Sequence, residues 1–154
     1  MSVKTEADRL TFHPGYFQPT ATVYEQYCRV DLANVDFDTM VGTGLSGALI
    51  VPRLADALDV NWLIIRKPND STHASDEAVG WLGKRWLFVD DFMESGATFH
   101  RVHKTVKTLA DRSRTEYVGD KYRKMPPWST EFVGAYLYGR SQVLSPADIL
   151  GRRR

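Results

Sequence analysis

The sequence predicts a three-layer α/β fold around a mostly parallel central sheet, and three observations predict it. Two short apolar runs, NWLIIRK (61–67) and KRWLFVDD (84–91), have the length of strands buried on both faces. Helical-period segments alternate with such runs, the arrangement of parallel β-α-β units. A glycine string, Gly42-Thr43-Gly44-Leu45-Ser46-Gly47, stands where a first strand meets a first helix.

Taken in order, residues 1–34 read as an irregular extension, broken by Pro14, Gly15 and Pro19 and carrying Tyr16, Phe17, Tyr24 and Tyr27 as packing material. VDFDTMV (35–41) reads as a strand entering the glycine string. SGALIVPRLADALD (46–59) reads as a helix with Ser46 as its N-cap. Leu49, Leu54, Ala57 and Leu58 form its expected buried face, and Pro52 is expected to kink it or to lie near its first turn. The strand 61–67 ends in Arg66-Lys67, and PNDSTHASDEAVG (68–80) has the composition of a mobile loop. The strand 84–91 ends in Asp90-Asp91. Phe99, Val102, Val106 and Leu109 then fall on one helical stripe, with His100, Arg101, Lys104 and Lys107 off it. Residues 113–130 read as irregular, EFVGAYLYG (131–139) as a last strand, and SPADILGRRR as the close.

Bulk properties narrow the function classes. The 154 residues suit a single domain, 1–154, with a core over 35–139. A formal net charge of +1 provides no global field for nucleic acid or an anionic membrane, so neither is expected as a partner. Arg152-Arg153-Arg154 reads as a solvated tail. Cys28 is the sole cysteine, which excludes a disulfide framework and a thiolate metal cluster. The start MSVKTEADRL has no apolar h-region and no run approaches a membrane span, so a cytoplasmic protein is expected. His13, His73, His100 and His103 lack zinc spacing, and His100 and His103 are expected to face solvent. Trp128, Tyr136 and Tyr138 read as packing residues, with stacking on a base as the other reading.

In parallel sheets, ligands gather beyond the carboxyl ends of the strands. Three loops are therefore expected to converge: 42–47, 66–83 and 90–98. The glycine string matches a dinucleotide-binding turn, but the second strand then requires an acid for the ribose hydroxyls, and here Arg66-Lys67 stand instead. Arginine there suits a 2′-phosphate, so an NADP-binding domain stays open beside a loop for another phosphate ligand.

The stretch WLFVDDFMESGAT (86–98) goes further. Four apolar residues, two acids, two apolar residues and a small-polar glycine loop ending in Thr98 describe a strand, a carboxylate pair and an anion cradle. This stretch resembles the phosphoribosyl pyrophosphate signature of the type I phosphoribosyltransferases. VGTGLSG-ALIVPRLADAL is similar to that family's first glycine loop and helix, and LIIRKPND to the strand before its flexible catalytic loop. The resemblance spans residues 36–110. It implies a three-layer core with a small hood, which must come from residues 1–34, from 113–130 or from both. It also implies Mg²⁺-dependent transfer of 5-phosphoribose from phosphoribosyl pyrophosphate to a nitrogenous base, purine-like or pyrimidine, by a homodimeric enzyme. A non-catalytic sensor of phosphoribosyl pyrophosphate or nucleotides on the same fold is the alternative.

The residues carry matching chemistry. Asp90 and Asp91 can accept hydrogen bonds from vicinal ribose hydroxyls, touching Mg²⁺ indirectly through those hydroxyls or water. Ser95, Gly96, Ala97 and Thr98 can hold a 5′-phosphate at a helix N-terminus. Arg66 and Lys67, with Thr43, Gly44, Leu45 and Ser46 of the glycine string, suit the pyrophosphate. His73, in the loop, is a further polar group for that end. Glu94 departs from the family pattern: 6-oxopurine members carry Asp here as a proton acceptor, while orotate and adenine members carry an uncharged residue. Glu94 is thus either a general base or a helix-start acid favoured by the macrodipole.

Overall fold

The computed structural model describes residues 20–68, 77–112 and 114–151. Residues 1–19, the loop section 69–76 with His73, and the tail Arg152-Arg153-Arg154 lie outside the described residues.

The chain begins its described part with helix α1 (Thr20–Asp31), within the segment expected to be irregular. Strand β1 (Thr39–Thr43) runs directly into α2 (Gly44–Leu58), followed by β2 (Asn61–Ile65), β3 (Ala78–Gly80) and β4 (Arg85–Asp90). Helix α3 (Ala97–Asp111) leads to β5 (Arg114–Val118) and β6 (Lys121–Met125), then β7 (Glu131–Leu137), β8 (Gln142–Leu144) and α4 (Pro146–Leu150). The main sheet has the order β3-β2-β1-β4-β7-β8. Its four central strands are parallel, and the short edge strands β3 and β8 are antiparallel. No helix among the described residues is long and apolar enough to cross a membrane.

Strand periodicity divides the core into two layers. Met40, Ile64, Leu87, Val89 and Tyr136 face α1 and α2, packing on Cys28, Ile50, Val51 and Leu54. Val41, Leu63, Ile65, Trp86 and Phe88 face the other way, onto Phe99, Val102 and Val106 of α3 and Ile149 of α4. Successive strand residues point to opposite faces, so the unbroken apolar runs read from the sequence are what a sheet covered on both sides needs. Asp38 aligns the first strand with the fourth: its carboxylate accepts from the backbone N–H of Lys84 at 2.8 Å and of Arg85 at 3.2 Å.

Several local readings change. Thr43, not Ser46, is the N-cap position of α2, because β1 turns into the helix with no intervening loop. The stripe buried by α2 is accordingly Gly47, Ile50, Val51, Leu54 and Ala55; Leu49, Ala57 and Leu58 are half-buried at its margin. The helix continues through Pro52 to Leu58. Residues 113–130 are not irregular throughout, since β5 and β6 form a separate antiparallel ribbon. That ribbon is rooted where α3 ends and β4 begins: Trp128 N–H donates to the Ala110 carbonyl at 2.8 Å, and Trp128 Nε1 to the Gly83 carbonyl at 2.9 Å. This is the end of the sheet opposite the carboxyl ends of the parallel strands. His103 does not face solvent freely but packs among Trp86, Phe99 and Phe132, where burial lowers its pKa.

Candidate functional site

The site follows from the strand order. From β1 the chain moves through α2 to β2 on one side, and β4 then lies on the other side of β1. The loops leaving β1 and β4 part in opposite directions, opening a crevice between their carboxyl ends. A cleft of about 280 Å³ occupies it, lined by Thr43, Ser46, Lys67, Phe88, Asp90, Asp91, the loop 92–96 and the first residues of α3, 97–99. Nearly all residues singled out in the sequence meet there: Thr43, Ser46, Lys67, Asp90, Asp91, Glu94, Ser95, Gly96, Ala97 and Thr98. The other three sit at its margin. Gly44 lies beneath the Lys67 side chain, Leu45 is 73% exposed, and Arg66 is half-buried with its backbone N–H bonded to the Glu77 carbonyl at 2.9 Å.

Two helix N-termini open on this cleft without side-chain caps. At α2, Thr43 makes no capping hydrogen bond; its hydroxyl donates instead to the Ile65 carbonyl at 2.6 Å. At α3, the N-cap is Gly96 in the left-handed conformation, φ 78°, again with no side-chain cap. A side chain other than glycine adopts that conformation at a cost. Ser95 Oγ accepts from Ala97 N–H at a long 3.3 Å. First-turn amides and the helix dipole together form an anion site.

Between these N-termini lie the charged groups. A Cβ on Gly44 would come within 2.7 Å of Lys67 Cε and 3.2 Å of its Nζ, so the lysine crosses the start of α2. Asp90 and Asp91 end β4. Asp91 N–H donates to Asp90 Oδ1 at 2.9 Å, and Phe92 N–H donates to Asp91 Oδ1 at 2.8 Å. Burial, aided by a side-chain hydrogen bond with Asp91 and by its charge, pushes the Asp90 carboxyl up to about 6, while the Asp91 backbone N–H and Lys67 draw it down. The Gly139 N–H, just past β7, bonds the Asp91 carbonyl at 2.9 Å and fixes the start of the loop. The arrangement can accept hydrogen bonds from a diol at its centre and hold anions at both ends.

Sequence reasoning misses Arg101. It stands off the buried stripe of α3, as the periodicity requires, yet it turns into the site: Nη2 donates to Thr43 Oγ1 at 2.9 Å and Nη1 to the Arg66 carbonyl at 3.3 Å. A cation on a polar helix face is ordinarily solvated, and only the tertiary contact distinguishes this one. Phe92 and Met93 also line the cleft, as apolar neighbours of the acids. The motif shows them as its two apolar residues, and their exposure to the site comes from the turn after β4.

No protein-family model matches the chain, and no curated protein sequence matches it. Solved structures do. The UMP synthase of Leishmania donovani superposes with a TM-score of 0.55 at 15% identity, over 80% of this chain and 23% of that one. A phosphoribosyltransferase from Corynebacterium diphtheriae gives 0.52 at 16% identity, over 78% of this chain and 65% of the other. The orotate phosphoribosyltransferase of Mycobacterium tuberculosis H37Rv, in complex with phosphoribosyl pyrophosphate, gives 0.50 at 15% identity, over 78% and 60%. The chain thus spans less than two thirds of the length of each of these proteins. Their shared architecture, the mixed α/β layers around a mostly parallel sheet, is that of the type I phosphoribosyltransferases, and it is the fold of this chain.

Proposed function

We propose that the protein transfers 5-phosphoribose from phosphoribosyl pyrophosphate to a nitrogenous base, purine-like or pyrimidine, and releases pyrophosphate. One observation carries the reading: the carboxylate pair Asp90–Asp91 lies in one cleft with the uncapped N-terminus of α3 and with Lys67. A ligand with a phosphate, a vicinal diol and a second anionic group matches that order of partners.

In this reading the amides after Gly96, with Ser95 and Thr98, hold the 5′-phosphate. Asp90 and Asp91 accept hydrogen bonds from the ribose hydroxyls and orient C1. Lys67, Arg66 and the start of α2 (Thr43, Gly44, Leu45, Ser46) stabilise the charge that grows on the leaving pyrophosphate. Glu94, exposed at the cleft rim, takes a proton from the attacking nitrogen as the bond to C1 forms. The acid pair would hold a Mg²⁺ ion indirectly, through ribose hydroxyls or water, and such an ion would supply charge neutralisation for the pyrophosphate. A homodimer belongs to the same proposal; sedimentation as a species of twice 17.5 kDa checks it, and a monomer at working concentration contradicts it.

Turnover of labelled phosphoribosyl pyrophosphate against a panel of bases tests the reaction. Pyrophosphate release with one base supports it. Tight binding with no turnover across the panel replaces it with the sensing role, and absence of binding removes both. At the level of binding, Asp90→Asn with Asp91→Asn removes two charged acceptors, each hydrogen bond of that kind contributing roughly 1.5 to 3 kcal/mol. Calorimetry with Mg²⁺ is expected to show affinity for phosphoribosyl pyrophosphate lowered at least tenfold.

A further inference from the structure

Two of the loops that build the cleft meet on one guanidinium, carried by the helix that follows the third. Arg101 lies one turn inside α3, the helix whose N-terminus opens on the cleft. Its Nη2 bonds the Thr43 hydroxyl at the end of β1, and its Nη1 bonds the Arg66 carbonyl beyond the end of β2. The Thr43 hydroxyl, only 6% exposed with its residue, hands its own proton to the Ile65 carbonyl, so the three groups form a closed chain. The two helices lie on opposite faces of the sheet, and Arg101 reaches from α3 to the junction that opens α2.

We infer that Arg101 is a positioning residue that fixes the separation of the cleft's two anion-binding ends, so that the cleft favours a ligand with an anionic group at each end over a single phosphate. The physical reason is preorganisation. A single phosphate needs only the amides of one helix N-terminus and is indifferent to the distance between loops. A ligand of fixed span gains its second contact only if the start of α2 and Lys67 already stand at the right distance from α3, and otherwise ordering them offsets that contact. Arginine suits the task because its planar fork reaches two oxygens at once, which an ammonium does not. The inference rests on the proposed function for the identity of the two-ended ligand.

The test is calorimetry on the whole chain with two probes, phosphoribosyl pyrophosphate with Mg²⁺ and inorganic phosphate, in the wild type, Arg101→Met and Arg101→Lys. Arg101→Met is expected to lose about tenfold in affinity for phosphoribosyl pyrophosphate, the scale of one hydrogen bond to a charged group. Its affinity for inorganic phosphate is expected to stay within about twofold. Arg101→Lys is expected to fall between the wild type and Arg101→Met for the two-ended ligand. An unchanged ratio of the two affinities overturns the inference, whether both hold or both fall together, since a merely structural arginine affects the probes alike. If Arg101→Met does not fold, the ratio in Arg101→Lys decides, because the ammonium keeps the charge and the packing stem but does not reach both oxygens. A wild-type protein that binds inorganic phosphate but not phosphoribosyl pyrophosphate overturns the functional reading itself, before any variant is compared.

Discussion

Asp90 meets opposed demands: its place at the end of a buried strand favours the neutral acid, and the chemistry proposed for it requires the anion. Burial and the adjoining Asp91 raise its carboxyl from 3.8 to about 6. Since the folded protein holds this proton more tightly than the unfolded chain, the stabilising contribution is full below the unfolded value and is lost as pH rises through about 6. At pH 7 the ionised Asp90 therefore weakens the ligand-free fold. Thermal unfolding should show Asp90→Asn more stable than the wild type at pH 7, with the difference closing below about pH 4. A wild-type protein as stable as the variant at pH 7 would contradict the assignment. Binding runs the other way: affinity for phosphoribosyl pyrophosphate with Mg²⁺ should weaken as pH falls through about 6, because the acceptor becomes protonated. Glu94 is the matching test of catalysis. Glu94→Gln keeps size and loop geometry but cannot take a proton, so kcat should fall by about 10²- to 10⁴-fold with ligand affinity nearly unchanged. A fall below about threefold with the true acceptor would leave Glu94 a helix-start acid.

At the scale of elements, the β1–α2 junction and the start of α3 carry the site, and each makes its own prediction. Strand and helix approach closely at the first: a Cβ on Gly47 would lie 3.2 Å from the Gly42 carbonyl carbon, a backbone atom that cannot swing aside. Gly47→Ala should thus force β1 and α2 apart and destabilise the protein by roughly 1 to 3 kcal/mol, the usual scale of overpacking. Urea unfolding measures it, and a neutral effect would mean the junction has slack. The glycine string answers here to packing, which is why its sequence alone left the ligand open. At α3, a crystal grown from sulfate or phosphate should place an anion on the amides of Gly96 to Thr98. An anion seated instead only at residues 43–46 would favour the dinucleotide reading of the string.

The whole molecule separates its working end from its ribbon. The cleft lies at the carboxyl ends of the parallel strands, while the β5–β6 ribbon is rooted at the other end and pairs with no strand of the main sheet. Its Tyr117 and Tyr122 meet edge to face, 63% and 81% exposed, and do not join the core. Replacing residues 115–124 by a short glycine-serine turn should therefore leave affinity for phosphoribosyl pyrophosphate within about twofold, since the preorganised groups of the cleft are untouched. A larger loss would mean that the ribbon reaches the cleft, as a hood over the base would. The buried Cys28 is equally remote from chemistry: burial and the Asp31 carboxylate push its thiol up to about 12, which keeps it an inert core residue.

What the sequence by itself determined is what one chain segment can encode locally. The two apolar runs specify strands buried on both faces, the stripe Phe99–Val102–Val106 specifies the inner face of α3, and WLFVDDFMESGAT specifies a strand, an acid pair and a helix start in register. Each is a repeat or spacing within about fifteen residues, and each appears in the fold, except that Leu109, the fourth member of the stripe, is half-buried and Ala110 takes its place in the core. The hairpin 114–125 escaped because its strands, RTEYV and KYRKM, are mostly polar and lack the hydrophobic period that marks a strand. The N-cap of α2 was misplaced for a different reason: Thr43 and Ser46 are both suitable capping residues, but β1 turns into the helix directly after Thr43, whose hydroxyl bonds the Ile65 carbonyl instead of capping. Only the tertiary structure could bring Lys67 across Gly44, or turn Arg101 toward residues 58 and 35 positions away. Such contacts depend on strand order and helix placement, which are set by packing the whole chain and leave no period in the sequence.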